Sequence, residues 1–214
     1  MEKIPAPWRL SGKGYIMIFR FSREFVRQNS FLGENWMLWF KGGFGSVMLV
    51  DYQQSEAGPY KELLFIPGRF SLWGQKHYTI SKIYVSTVAS VQNGRANWAI
   101  PKELAEFNWQ GGGSDERVTI NVHGEKVMEI SLHAKGPKIP INTRVFPLSI
   151  GQEDEERVFI TRPHGRGWGQ LANVNALSVN HTYFPDISGI KPLMVLRVDP
   201  FQMVFPVAQQ IKGA

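Results

Sequence analysis

Apolar residues in this chain come in short runs, rich in β-branched and aromatic side chains and broken by glycine and proline. The runs fall at Tyr15–Phe21, Trp36–Phe40, Ser46–Tyr52, Leu63–Ile66, Tyr78–Thr87, Val118–Val122, Val127–Leu132, Val158–Ile160 and Leu193–Val198. This spacing suits many short strands. The clearest pair is Val118–Leu132, where Val118, Ile120 and Val122 alternate with polar neighbours and Gly124-Glu125 offers a two-residue turn. Two segments read as helical. Ser22–Gln28 follows the first run, and Pro101–Phe107 opens with proline, which suits a first helical position, and sets Leu104 and Phe107 on one face. Many strands with few helices predict a mostly β fold, a closed or sandwiched antiparallel sheet.

Composition narrows the class. The 214 residues fit one domain spanning 1–214, and with 43% hydrophobic and 13% aromatic residues the chain can bury a sizeable core. Gly111-Gly112-Gly113-Ser114 reads as a loop joining two parts of one barrel, since a boundary there would leave halves too small to be stable. The absence of cysteine excludes disulfides, thiol nucleophiles and the usual structural zinc sites. The N-terminal segment lacks a secretory pattern and no apolar run is long enough to span a bilayer, so a cytoplasmic protein without membrane contact is expected. The net charge is +6, but the basic residues are scattered, and the densest charge run is acidic, Glu153-Asp154-Glu155-Glu156. Nucleic acid is therefore not an expected partner.

Several chemistries find no support. The five histidines, at 77, 123, 133, 164 and 181, never fall at metal-ligand spacing, and no Gly-x-Ser-x-Gly nucleophile elbow is present. Gly165-Arg166-Gly167-Trp168-Gly169 lacks dinucleotide spacing and reads as a loop where backbones approach closely. No metal and no cofactor are expected.

Lys102 carries more. It follows the apolar approach Trp98-Ala99-Ile100-Pro101 and would sit in the first turn of the expected helix. A helix N-terminus and an apolar pocket both push a lysine toward its neutral form. An unperturbed lysine is neutral at pH 7 in only about one molecule in 2,500, a deficit of roughly 4.6 kcal/mol. From position alone, the simpler reading is an exposed lysine whose stem covers apolar surface.

The segment GRANWAIPKELAEF, Gly94 to Phe107, resembles the active-site segment of the acetoacetate decarboxylase family, in which Gly-Arg precedes an apolar stretch and Pro-Lys. A second piece, Gly58-Pro59-Tyr60-Lys61-Glu62, is similar to the family's Tyr-x-Glu element. Weaker similarity covers Pro5–Phe21, Tyr183-Phe184-Pro185 and Phe201–Ala208. The resemblance implies a closed, mostly antiparallel β-barrel or double sheet around an apolar pocket, with a few short helices, assembled as a homo-oligomer. It also implies a Schiff base on Lys102 with Glu62 facing it. Arg95, Tyr60, Trp98 and Lys13 are the candidate substrate contacts, with Tyr84 a further candidate wall, and the partner is a small carbonyl compound.

The chain departs from the family pattern in three places. Glu103 stands where the decarboxylases carry a second lysine, Gly45-Ser46-Val47 offers no acid on an earlier strand, and only Lys13 or Arg9 stands near the place of an N-terminal arginine. The reading is a Schiff-base-forming lyase acting on a β-keto acid or related carbonyl compound. The alternatives are aldolase-dehydratase chemistry on the same scaffold, or a non-catalytic barrel that binds a small molecule.

Overall fold

Strands dominate the computed structural model, which describes residues 3–145, 148–154 and 157–212. In chain order the elements are β1 (Trp8–Phe19), α1 (Arg23–Asn29), α2 (Trp36–Trp39), β2 (Phe40–Gly42), β3 (Gly45–Gln54), β4 (Tyr60–Ile66), β5 (Arg69–Leu72) and β6 (Gln75–Tyr78). There follow β7 (Lys82–Val85), α3 (Val88–Trp98), β8 (Lys102–Leu104), β9 (Glu106–Gly112), β10 (Asp115–Val122) and β11 (Glu125–Asn142). The last are β12 (Ile150–Asp154), β13 (Arg157–Thr161), β14 (His164–Val179), β15 (Met194–Phe205) and β16 (Gln209–Lys212).

Among the described residues, ten strands form one sheet in the order β8-β7-β4-β3-β1-β15-β14-β11-β10-β9, and six form a second in the order β16-β13-β12-β6-β5-β2. Neighbours are antiparallel except β7 with β8 and β6 with β12. The outermost strands of the large sheet, β8 and β9, are separated in sequence by Ala105 alone. The sheet therefore has to curl until its edges approach, which gives a nearly closed barrel. Lys13 on β1 reaches Glu116 on β10 at 2.5 Å, although three strands lie between them in sheet order. That ion pair crosses the interior. Arg197 on β15 joins it, 3.6 Å from Glu116 and 2.9 Å from Asp199.

Two apolar clusters lie on opposite faces of the strands, and β4 serves both. Leu63 and Phe65 enter the larger cluster with Tyr15, Met17, Val47 and Leu49; Tyr60, Leu64 and Ile66 enter the smaller one with Trp8, Ile83, Trp98 and Phe159. Alternation of side chains along a strand makes this possible, and each large side chain so buried stabilises the fold by about 1.5–3 kcal/mol.

Several details differ from the sequence expectations. The run Trp36–Phe40 begins as the helical turn α2, because Trp36 packs edge-on against Trp39 and Phe70 and tertiary contact overrides strand propensity. The run Tyr78–Thr87 breaks between β6 and β7. In the β10–β11 hairpin Val122 pairs with Glu125, so the turn is His123-Gly124, one residue earlier than expected. Both turn residues have positive φ, 51° and 81°, which matches the right-handed twist of the flanking strands. Gly111-Gly112 ends β9 and Gly113-Ser114 turns into β10. Gly165–Gly169 lies within β14 rather than in a loop, but the close approach is present: a Cβ on Gly165 would come 2.4 Å from the carbonyl oxygen of Gln202. Helix α1 matches its expected place, with Ser22 capping it by accepting from Phe25 N at 3.0 Å. Of the acidic run, Glu155 and Glu156 lie outside the described residues. Among those described, no helix is long and apolar enough to cross a membrane.

Candidate active site

Lys102 opens a strand, not a helix. The helix lies one segment earlier: α3 begins after Thr87, whose Oγ1 accepts from Ser90 N at 3.3 Å, and stops at Ala99, which has a φ of 54°. Pro101 follows this left-handed stop and disfavours renewed helix at Ile100. Lys102 then pairs in parallel with Ile83 of β7. The positive helix end expected at Lys102 is thus absent, and its setting is a sheet face instead.

Register assembles that face. Tyr52 lies opposite Tyr60, Val50 opposite Glu62, Glu62 opposite Val85, and Ile83 opposite Lys102. Residues two apart on a strand share a side, so Tyr52, Tyr60, Glu62 and Lys102 project together toward the smaller apolar cluster. Lys102 Nζ is 3.0 Å from Glu62 Oε2 and donates to Ser90 Oγ on α3, also at 3.0 Å. The hydroxyl of Tyr52 donates to Glu62 Oε1 at 3.2 Å. Lys102 is 3% exposed and Glu62 is 4% exposed.

Aromatic rings surround the pair. Nζ lies 4.9 Å from the centroid of Tyr60 and 5.9 Å from that of Trp8. Trp8 meets Trp98 edge-on at 5.0 Å, Trp98 meets Phe205 at 4.8 Å, and Tyr52 meets Tyr60 at 4.6 Å and Phe201 at 5.8 Å. Burial first, then the charge of Glu62, pushes the phenols of Tyr52 and Tyr60 well above their usual range. Both remain hydroxyl donors at neutral pH.

The remaining candidates are distributed unevenly. Tyr60 and Trp98 belong to the shell around Lys102. Arg95 is exposed, and its Nε donates to the backbone carbonyl of Lys102 at 2.8 Å, so it braces the strand. Lys13 lies on the other face, against Glu116 and 5.4 Å from the Trp109 ring. Tyr84 is also on that face, where its hydroxyl donates to Tyr183 O at 2.8 Å. Arg9 is exposed. Glu103 points away from Lys102 and pairs with Lys82 at 2.6 Å. Two open surface clefts, beside Arg23 and Phe40 and beside Glu116 and Leu132, lie away from Lys102. What distinguishes the lysine is its buried contacts, not the size of a cleft. Among the described residues, no three histidine, aspartate or glutamate side chains gather as a metal-ligand set.

Sequence reasoning missed Ser90, Tyr52 and Trp8. Tyr52 had a usable signal, the alternation along β3 that sets it across from Tyr60. Ser90 had none, because the helix carrying it was not recognised.

Over residues 8–150, more than half of its length, the chain matches the sequence profile described as acetoacetate decarboxylase (ADC). The chain belongs to the acetoacetate decarboxylase family. The matched stretch holds Glu62, Ser90 and Lys102. No curated protein sequence matches the chain significantly. Among solved structures, one described as acetoacetate decarboxylase aligns with a TM-score of 0.72 at 12% identity, over 97% of this chain and 90% of its own. The acetoacetate decarboxylase of Legionella pneumophila subsp. pneumophila str. Philadelphia 1 aligns at 0.70 with 12% identity, covering 97% and 88%. The enduracididine biosynthesis enzyme MppR, complexed with pyruvate, aligns at 0.64 with 15% identity, covering 96% and 90%. At these identities the likeness establishes the acetoacetate decarboxylase fold.

Proposed function

We propose that this member of the acetoacetate decarboxylase family is a carbon–carbon lyase that binds a carbonyl substrate as a Schiff base on Lys102. One observation carries the reading: a buried amine 3.0 Å from a buried carboxylate, inside a shell of aromatic rings. An ammonium has no lone pair to offer, so the proton on Nζ has to move first. Glu62 Oε2 is within reach to accept it. The free amine then adds to the carbonyl carbon, and Glu62 returns the proton to the resulting hydroxyl, which leaves as water. A carbon–nitrogen bond has formed, the carbon–oxygen bond has broken, and an iminium cation faces the Glu62 carboxylate.

The faces of Tyr60 and Trp8 stabilise that cation. Ser90 and Tyr52 hold the amine and the carboxylate in place, each through one hydrogen bond. The iminium draws electrons from the adjacent carbon, so loss of carbon dioxide from a β-keto acid, or another carbon–carbon step at that carbon, becomes accessible. The names of the structural neighbours support carbonyl chemistry on this fold, a decarboxylase in two cases and a pyruvate complex in the third.

A second reading takes the same contact as a structural ion pair inside a barrel that only binds a small molecule. The burial of both partners favours it, since a buried pair breaks at a cost even where no chemistry occurs. Borohydride trapping separates the two. Wild type incubated with ketones and aldehydes should gain a covalent adduct, visible by mass spectrometry, and Lys102→Ala should not. An unlabelled wild type across a broad panel would leave only the binding barrel.

A further inference from the structure

The surroundings of the pair also bear on the charge of its substrate, an inference that rests on Lys102 forming a Schiff base. We propose that the site takes a neutral, apolar carbonyl compound, with an alkyl or aromatic group where a keto acid carries its carboxylate.

Register and sequence bring four cations close to the Glu62–Lys102 pair, while Arg9, next to Trp8, is exposed. Lys61 flanks Glu62 but lies on the opposite side of β4, 3.5 Å from Asp51. Lys82 precedes Ile83 by one residue, faces the other side of β7 and pairs with Glu103. Lys13 crosses the barrel interior to Glu116. Arg95 is turned onto the carbonyl of Lys102. Each of the four is therefore committed to another partner, and three are separated from the amine by the sheet itself.

Charge balance then decides. Once the iminium has formed, its positive charge is matched by the Glu62 carboxylate. A substrate carboxylate would add a second negative charge to a buried site walled by Trp8, Tyr60 and Trp98, and these four cations do not reach it. An unpaired buried charge is strongly disfavoured, and here it would also face Glu62 at close range. A neutral substrate leaves the balance intact. The partly exposed members of the same apolar cluster, Phe201, Met203 and Phe205, offer hydrophobic contact rather than a counter-ion.

A neutral substrate has no carbon dioxide to lose, so the carbon–carbon step takes another form. For a β-hydroxy ketone held as an iminium, Glu62 accepts the hydroxyl proton and the bond between the α and β carbons breaks. The β carbon departs as an aldehyde. The electron pair moves into the iminium, giving an enamine that is protonated at carbon before hydrolysis with water frees the product.

The test compares one ketone with and without its charge. The full-length protein is incubated with acetoacetate, methyl acetoacetate or benzylacetone, reduced with borohydride, and the Lys102 adduct is quantified by mass spectrometry with Lys102→Ala as blank. Methyl acetoacetate and benzylacetone should label at least about tenfold faster than acetoacetate, in keeping with the cost of an unpaired buried charge. Equal or faster labelling by acetoacetate, or an acetone-sized adduct from it in excess of that given by acetone at the concentration formed without protein, overturns the neutral-substrate proposal while leaving the Schiff base standing. No adduct from any of the three, or from a wider panel of neutral aldehydes, overturns the Schiff-base reading and this proposal with it.

Discussion

Gly94 of α3 lies directly against the side chain of Lys102: a Cβ at Gly94 would come 2.6 Å from Cδ and 2.8 Å from Cε of the lysine. The glycine of the Gly-Arg element thus makes room for the lysine eight residues later, while Arg95 holds that lysine's backbone. Gly94→Ala would ordinarily favour a helix by about 0.5–1 kcal/mol. Here it should displace Nζ from Glu62. A shift of about 1 Å costs roughly a hundredfold in a reaction that depends on alignment, and the rate of borohydride-trapped labelling is the measure. Labelling at the wild-type rate would show that the lysine does not need its present path.

Glu62 and Tyr52 should separate chemistry from support. Glu62→Gln keeps the shape and removes the proposed proton carrier, so labelling should slow by roughly a hundredfold or more. Tyr52→Phe removes one hydrogen bond to Glu62, worth about 1 kcal/mol, and should slow it by less than about tenfold. Paired single-turnover rates on the two variants check the order; a larger loss in Tyr52→Phe would reverse the assignment.

The pair itself is predicted to be a stability liability. Lys102→Met alone leaves Glu62 buried without its counter-charge and should destabilise by about 3 kcal/mol. Lys102→Met combined with Glu62→Leu removes both charges and should bring stability in chemical denaturation back to at least the wild-type value. A double variant as unstable as the single one would mean the pair supports the fold directly.

Glu116 ties both sides of the curled sheet, receiving Lys13 and Arg197 on a side chain that is fully buried. Glu116→Ala should cost up to about 3 kcal/mol by leaving Lys13 without its carboxylate, while Arg197 keeps Asp199. Because the contact lies on the face away from Lys102, the labelling rate measured at a temperature where the variant is folded should stay within about twofold of wild type.

His77 provides a pH signature of folding. It is buried, with Nδ1 2.9 Å from Ser149 Oγ, and burial followed by the charge of Arg162 lowers its pKa below the usual value. The unfolded chain therefore binds a proton there more readily than the folded one. The stability from neutral His77 is complete above the unfolded value of about 6.5 and is lost as pH falls from there through the folded pKa. Thermal melts at about pH 7.5 and 5.5 should show a smaller drop for His77→Gln than for wild type; equal drops would exclude the residue as the cause.

How far the sequence was readable varies by element. Alternation exposed most strands because burial on one side imprints a period of two, as along Val118–Val122. It could not expose α3, in which Asn93 and Gly94 look like a turn. Asn93 is held in the helix by donating to Ala89 O, while Ile4 N donates to its Oδ1, and Gly94 by its proximity to Lys102. The contacts with Ile4 and Lys102 are made with other segments and are invisible in local propensity. The Tyr60 and Glu62 element and Lys102 were legible as motifs. Ser90 was not, because its role depends on a crossing between a helix and a strand 12 residues on.

Glu103 follows Lys102 directly, yet the pleat turns it to the opposite side, where it meets Lys82 between the rings of Phe31 and Tyr84. Adjacent in the chain, the two residues take different ionic partners. The strand works as a partition, so that the chain can exchange acid for base on one side of it while the buried amine on the other keeps the same neighbours.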